Sequence, residues 1–170
     1  QELQDFDAAV DYLKKARPRC ARNLGTVGLS MGAAVAAMAL AVHPEIKAAV
    51  LESPFADFHE VGRRWAWNKF RVPYFPIIMM VMLMAKLRSG HRDIDSYSPE
   101  AFLPRAMVPV FLIAAEHDGI MPPADVRRLF ALARGPKEYW MAPGAVHAKC
   151  RQSAPAEYEA RVAAFLRTYL

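Results

Sequence analysis

The stretch NLGTVGLSMGAAVAAMAL, residues 23–40, constrains the fold more than any other part of this sequence. Its first part, Leu24 to Leu29, is a short apolar run of the kind found in buried strands. Ser30 follows at the centre of GLSMG, and the alanine-rich run after it is typical of a helix that is buried all round. The chain therefore has to turn sharply from a strand into a helix at Ser30.

Short apolar strands and helices alternate along most of the chain. This alternation is typical of a parallel sheet with helices on its faces. We therefore predict an α/β fold with a parallel sheet of about four strands, flanking helices and one helical insertion. The predicted strands are 24–29, 48–51, 108–115 and 137–141, and the predicted helices are 2–16, 33–42, about 123–134 and 156–170.

Length and composition indicate one domain over residues 1–170, because 54% hydrophobic residues can fill a core without disulfides or metal. The two cysteines form no CxxC pair and predict neither a disulfide scaffold nor a zinc site. The net charge is +5, but no basic stripe is interleaved with aromatics, so nucleic-acid binding is disfavoured. The sequence shows no signal peptide and no bilayer-spanning apolar run. We expect a soluble protein, with the cytoplasm favoured and an upstream signal or anchor left open.

The turn at Ser30 has the properties expected of a nucleophile. A GxSxG motif between strand and helix holds the serine in a strained backbone conformation, with its hydroxyl at the helix N-terminus. There, the Met31 backbone N–H and the helix dipole can stabilise a developing oxyanion. A serine hydroxyl is a weak nucleophile at neutral pH, so this interpretation requires a histidine base and a carboxylate that orients it.

Two later loops supply residues of the required types. Asp118 follows the predicted strand VFLIAA in the segment EHDGIMPP, and His147 follows the last predicted strand in MAPGAVHAKC. The loops after parallel strands gather at one edge of a sheet, so Ser30, Asp118 and His147 can converge although they are distant in sequence. The order serine, acid, histidine is the one that accompanies this turn.

Other residues compete for these roles. Glu116 and Asp125 are alternative acids near Asp118, and Asp57 is an alternative on the loop after the second strand. The other four histidines are less favoured as the base. His117 adjoins the proposed acid, His43 lies at a predicted helix end, and His59 and His91 lie at the edges of the insertion. Cys150 is interpreted as a small packed residue.

Residues 58–92 interrupt the alternation with a segment rich in aromatic, methionine and basic residues. Its methionines can pack as gap fillers, it can form a cap over a site, or it can lie on a membrane surface. The 14 residues from Val72 to Ala85 are too few to span a bilayer. As a cap, the segment predicts an apolar substrate pocket lined by Trp65, Trp67, Tyr74 and Phe75.

Together, GLSMG, ESPFAD, AAEHDGIMPP and PGAVHAKC resemble the α/β-hydrolase superfamily, in particular bacterial serine hydrolases of the S33-like peptidase or esterase type. The resemblance covers nearly the whole chain. It implies that Ser30 is the nucleophile, Asp118 the acid and His147 the base, and that the Met31 amide is one oxyanion donor. It implies no cofactor and no metal, and a small acyl compound as the substrate.

The resemblance extends only to the C-terminal part of that fold, roughly its last four strands. The superfamily's sheet has about eight strands, and its second oxyanion amide comes from a loop well before the serine turn. The chain is thus expected to be a fragment or a reduced domain, with an open sheet edge at which it self-associates. The expected function is cleavage of an ester, thioester or amide through an acyl-enzyme. A noncatalytic binding module and an acyltransferase are the alternatives.

Overall fold

The computed structural model describes residues 2–71, 74–88 and 97–170. In this part of the chain, four parallel strands form one sheet in the order β1-β2-β3-β4. The strands are β1 (Leu24–Leu29), β2 (Ile46–Glu52), β3 (Val110–Ala115) and β4 (Lys137–Ala142). The helices are α1 (Glu2–Ala16), α2 (Met31–Ala39), α3 (Phe58–Phe70), α4 (Met79–Arg88), α5 (Pro99–Phe102), α6 (Pro123–Leu132), α7 (Cys150–Ser153) and α8 (Pro155–Tyr169).

Side chains that alternate along the strands fill two separate cores, one on each face of the sheet. On one face, Leu51 and Leu112 pack with residues of α2 and α6, such as Ala37 and Leu129. The core on the other face joins residues of β2 and β3 to α7 and α8, among them Val50, Phe111, Cys150, Tyr158 and Phe165. All six residues of β3 are buried. This is the pattern of a parallel strand covered on both faces.

The predicted α/β fold is confirmed, and the differences lie at element boundaries. β3 begins at Val110 and not at Val108, because Pro109 has no N–H to give to the sheet and serves only as an acceptor for Ala49 N–H. The helix after Ser30 starts directly at Met31 and ends at Ala39, three residues before the predicted end. Short 3₁₀ turns at 20–22 and 103–105 were not predicted.

The insertion after β2 contains α3, a kinked segment (Tyr74–Ile78) in which Phe75 has extended backbone angles, and α4. Asp57 caps α3, because its carboxylate accepts the Glu60 N–H at 2.8 Å. In the described part of the chain, no single helix is long and apolar enough to cross a membrane. Two neighbouring helical segments, residues 58–70 and 75–88, are separated by a bend. They reach the length and composition of a membrane span only when they are taken together.

β1 forms one edge of the described sheet, because it pairs with β2 alone. On one face of this strand, Val27 is 51% exposed and Leu29 is 47% exposed. Both side chains border an open groove of about 830 Å³ whose far side is formed by α8 residues Val162 and Leu166. The edge strand therefore presents apolar side chains together with backbone groups that β2 does not pair.

We expect this protein to self-associate through β1, because such an edge invites pairing with another chain. Val27→Lys places a charge in the edge and should shift the protein toward monomer, as measured by light scattering over a concentration series. Val42→Lys, on the exposed turn after α2, changes the net charge equally and should leave association unaltered. A monodisperse monomer of the unchanged protein at every concentration would contradict this expectation.

Candidate active site

The sharp turn at Ser30 is formed as the sequence predicts. Ser30 has φ 54° and ψ −122°, a strained conformation for a residue with a side chain. Its N–H donates to the Glu52 carbonyl at 2.8 Å, which ties the turn to the end of β2. A Cβ at Gly28 would lie 2.7 Å from Ala33 backbone atoms, whereas one at Gly32 would meet nothing within 4 Å. In this structure, the close packing of β1 against the start of α2 therefore requires glycine at position 28 but not at position 32.

The loops after β3 and β4 bring two further polar side chains to this turn. Ser30 Oγ lies 2.8 Å from His147 Nε2, and His147 Nδ1 lies 2.7 Å from Asp118 Oδ2. An ionised carboxylate can only accept, so Nδ1 carries the proton and Nε2 is free to accept from the serine hydroxyl. The three side chains thus form a continuous hydrogen-bonded row across the carboxyl ends of three strands.

The carboxyl group of Asp118 is held from both sides. Its side chain is fully buried, Oδ2 faces His147, and Oδ1 accepts the N–H groups of Ile120 and Met121 at 3.0 and 2.8 Å. Burial opposes ionisation, but the hydrogen bonds from His147 and from these two amides outweigh it and hold the pKa of the Asp118 carboxyl below its usual range. Asp118 is therefore a fixed negative charge behind the imidazole.

Comparison with known proteins assigns the chain to a family. The model of the Prolyl oligopeptidase family matches residues 1–170, which is the whole chain. This chain belongs to the prolyl oligopeptidase family. The predicted membership of the α/β-hydrolase superfamily is thereby confirmed, and an esterase of that fold is among the similar solved structures.

Relatives of this prolyl oligopeptidase family member are longer than it is. The uncharacterized protein YqkD of Bacillus subtilis is 30% identical over 149 residues, covering 86% of this chain and 48% of YqkD. An uncharacterized protein of Mycobacterium tuberculosis is 31% identical over 143 residues, covering 84% of this chain and 44% of that protein. The chain thus spans about half the length of the curated relatives it matches.

Among solved structures, the Pyrococcus furiosus esterase Pf2001 is 27% identical with a TM-score of 0.77, over 98% of this chain and 62% of the esterase. A puromycin-hydrolyzing peptidase of Mycobacterium tuberculosis superposes with a TM-score of 0.74 at 22% identity, over 99% of this chain and 25% of the peptidase. The second likeness shows the shared fold alone.

The alternative acids of this family member are engaged elsewhere. Asp57 caps α3 and accepts the Ser98 hydroxyl at 3.2 Å. Asp125 forms an ion pair with Arg64 of α3. The Glu116 carboxylate accepts the Gly144 N–H at 2.7 Å, on the loop that leads to His147. Asp118 is thus the carboxylate that faces the ring of His147.

The structure describes three of the four other histidines, and no hydrogen bond to Ser30 is seen for any of the three. His43 contacts Asp7 and Glu45 at the end of α2, and the His117 side chain is mostly exposed. His59 lies at the start of α3, and His91 lies outside the described residues. Cys150 is fully buried, in agreement with its interpretation as a packed residue.

The aromatic residues predicted to line a pocket lie on α3 and the turn that follows it. Trp65 and Trp67 are half exposed, and Phe75 is 70% exposed. Trp65 packs edge-to-face on Phe70, and the Arg71 guanidinium lies over the Trp67 ring. The side chain of Tyr74 lies outside the described residues. A role for these four residues in binding an acyl group therefore stays a prediction.

Sequence reasoning missed Glu52, a carboxylate buried at the end of β2 with 1% exposure. Its Oε1 accepts the Cys150 N–H at 3.0 Å, and its other carboxylate oxygen is buried without a hydrogen-bond partner. Buried carboxylates are rare unless they are paired or serve a function. The available signal was an acidic residue at the end of an otherwise apolar run, IKAAVLE.

The environment of Asp118 predicts a pH-dependent contribution to stability. Its folded pKa lies below the unfolded value, so the ionised carboxylate stabilises the fold above the unfolded pKa. This stabilisation is lost as the pH falls through the folded pKa. Asp118→Asn should lower the free energy of unfolding by about 1 to 3 kcal/mol at pH 7, with the deficit vanishing at strongly acidic pH.

Urea unfolding of both proteins at a series of pH values measures this difference. Asp11→Asn, at an exposed position of α1, is the control and should change stability little at any pH. A deficit for Asp118→Asn that stays constant down to pH 2 would assign the loss to packing and contradict the electrostatic explanation.

Proposed function

We propose that this protein is a serine hydrolase that cleaves an ester, thioester or amide bond of a small acyl compound through an acyl-enzyme. The observation that carries the proposal is the continuous row from Ser30 Oγ through His147 to the buried Asp118 carboxylate. Membership of the prolyl oligopeptidase family and the likeness to the Pyrococcus furiosus esterase support it.

In the first half of the reaction, Ser30 Oγ forms a bond to the substrate's carbonyl carbon while its proton passes to His147 Nε2. The carbonyl oxygen becomes an oxyanion, to which the N–H of Met31, the first residue of α2, donates a hydrogen bond. Asp118 accepts the hydrogen bond from His147 Nδ1–H and stabilises the imidazolium by its negative charge. His147 then gives its proton to the leaving oxygen, sulfur or nitrogen as that bond breaks, and the acyl-enzyme remains.

In the second half, a water molecule takes the place of the leaving group. His147 Nε2 removes a proton from the water as its oxygen attacks the acyl carbon. His147 then donates this proton to Ser30 Oγ as the ester bond to the serine breaks. The acid is released and the enzyme is regenerated.

An activated serine reacts covalently with a fluorophosphonate probe, so we expect the protein to be labelled at Ser30. Ser30→Ala should abolish labelling, and His147→Ala should reduce its rate by at least about a thousandfold, because the two residues act as a unit. Labelling is read by mass spectrometry of the modified peptide, which requires no knowledge of the natural substrate.

Ser153→Ala, at an exposed position of α7, is the matched control and should be labelled like the parent. Absence of labelling in the folded parent would refute the proposal and favour a noncatalytic binding module. If the unlabelled parent, given an activated ester together with an alcohol or amine, passes the acyl group to that acceptor in preference to water, the protein is instead an acyltransferase.

A further inference from the structure

Large apolar side chains are exposed along the α3–α4 segment, defined as residues 58–88. Among them are Trp65, Trp67, Phe75, Met80, Met84 and Leu87. At 100° per residue, the exposed apolar positions of α4 cover about 200° of its circumference, far more than the stripe that a helix buries against one neighbour. An exposed apolar surface of this size marks an interaction site.

The α3–α4 segment is strongly basic. Residues 58–88 contain six Lys and Arg and one acidic residue, Glu60, so the net charge of the segment is +5, equal to that of the whole chain. Arg64 turns inward to Asp125 and to the Ile120 carbonyl. Arg63 and Lys69 are exposed on α3, and Arg88 is exposed at the end of α4. The excess positive charge of the protein is thus concentrated beside its exposed apolar side chains.

We propose that the α3–α4 segment binds the surface of an anionic lipid bilayer. Basic residues are attracted to anionic headgroups, and apolar side chains enter the boundary between headgroups and acyl chains. Trp65 and Trp67 are of the residue type that is enriched at this boundary. A second copy of the chain is a poorer occupant, because it would bring two faces of the same charge together. This proposal is independent of the hydrolase function.

Flotation with phosphatidylglycerol-containing vesicles tests the proposal, with pure phosphatidylcholine vesicles for comparison. We expect binding to the anionic vesicles that weakens as the salt concentration rises. Arg63→Glu/Lys69→Glu should weaken it roughly tenfold or more. Arg127→Glu/Arg167→Glu changes the net charge equally at exposed positions of α6 and α8, and should have little effect.

Tryptophan emission gives a second measurement. Trp140 is already buried, so a blue shift on adding anionic vesicles would come from Trp65 and Trp67, and Trp65→Phe/Trp67→Phe should remove it. Equal binding to neutral vesicles, equal loss in both charge-reversal pairs, or no binding at all would overturn the proposal. Self-association that Met84→Gln abolishes, without vesicle binding, would assign the surface to a second copy.

A different observation concerns the buried carboxylate of Glu52. This residue is hydrogen bonded to both the serine turn and the histidine loop of the candidate active site. Its backbone carbonyl accepts the Ser30 N–H at 2.8 Å. Its side chain accepts the N–H of Cys150, three residues after His147, at 3.0 Å. Between His147 and Cys150 the chain passes through Ala148, whose φ of 54° is strained for alanine. The histidine loop therefore needs an anchor, and Glu52 provides one.

The burial of Glu52 has a cost that packing alone does not explain. One carboxylate oxygen has no hydrogen-bond partner, and the neighbouring Cys150 thiol and Tyr158 hydroxyl both have raised pKa values, through burial first and the Glu52 carboxylate second. Burying a charge costs free energy unless it is paired and hydrogen bonded, so packing alone gives no reason for a carboxylate here. We infer that Glu52 is a positioning residue that fixes His147 relative to Ser30.

Because this role concerns catalytic geometry, it rests on the proposed function, and two variants test it. Glu52→Leu removes the acceptor for the Cys150 N–H, whereas Glu52→Gln keeps an oxygen there. We expect Glu52→Leu to lower the fluorophosphonate labelling rate at least tenfold at a temperature where the variant is still folded, and Glu52→Gln to remain within about threefold of the parent. Glu116→Leu, which releases the same loop at Gly144, is the control and should have a smaller effect.

A readout without turnover separates this inference from the hydrolase function. The proton on His147 Nδ1, hydrogen bonded to Asp118, gives a far-downfield NMR signal when the ring is held in place. Glu52→Leu should broaden or abolish that signal and Glu52→Gln should retain it, whether or not the protein is labelled. Equal labelling and equal signals in the parent and Glu52→Leu would overturn the positioning role.

Discussion

The parallel pairing of four strands in one register is the constraint on which the rest of the structure depends. Leu29 pairs with Glu52, Glu52 with Ile113 and Ile113 with Trp140, so all four strands end at nearly the same level. The loops that follow them consequently meet at one edge. Because of this register, Ser30 in the turn after β1 and His147 in the loop after β4 come within hydrogen-bonding distance although they are far apart in sequence.

Strain and buried polarity are concentrated at that same edge. Ser30, Ser53 and Ala148 all have positive φ, and the Ser53 hydroxyl and one oxygen of Glu52 are buried without a hydrogen-bond partner. Each of these features costs free energy that the two apolar cores must offset. Features of this kind persist where the surrounding structure holds them and commonly mark functional sites. The strand β3, by contrast, is apolar, buried along its whole length and paired on both sides.

The sequence predicted the turn at Ser30 because strand, small residues and helix follow one another locally. It also predicted Asp118 and His147, since each comes directly after a recognisable strand. The sequence favours Asp118 over Asp57, Glu116 and Asp125, and in the structure those three carboxylates face a helix end, a loop amide and an arginine. The apolar pattern predicts the start of β3 two residues too early, because Pro109 continues that pattern but has no N–H to give to the sheet.

By itself, the sequence determined the fold class, the number of strands and the residue types of the candidate site, because periodicity and turn chemistry are local properties of a chain. Only the tertiary structure decided which acid faces His147, that Gly28 and not Gly32 is required by close packing, and that Glu52 links two loops. These facts depend on distances between residues up to 117 positions apart. Such distances are set by strand register and packing, which no local pattern records.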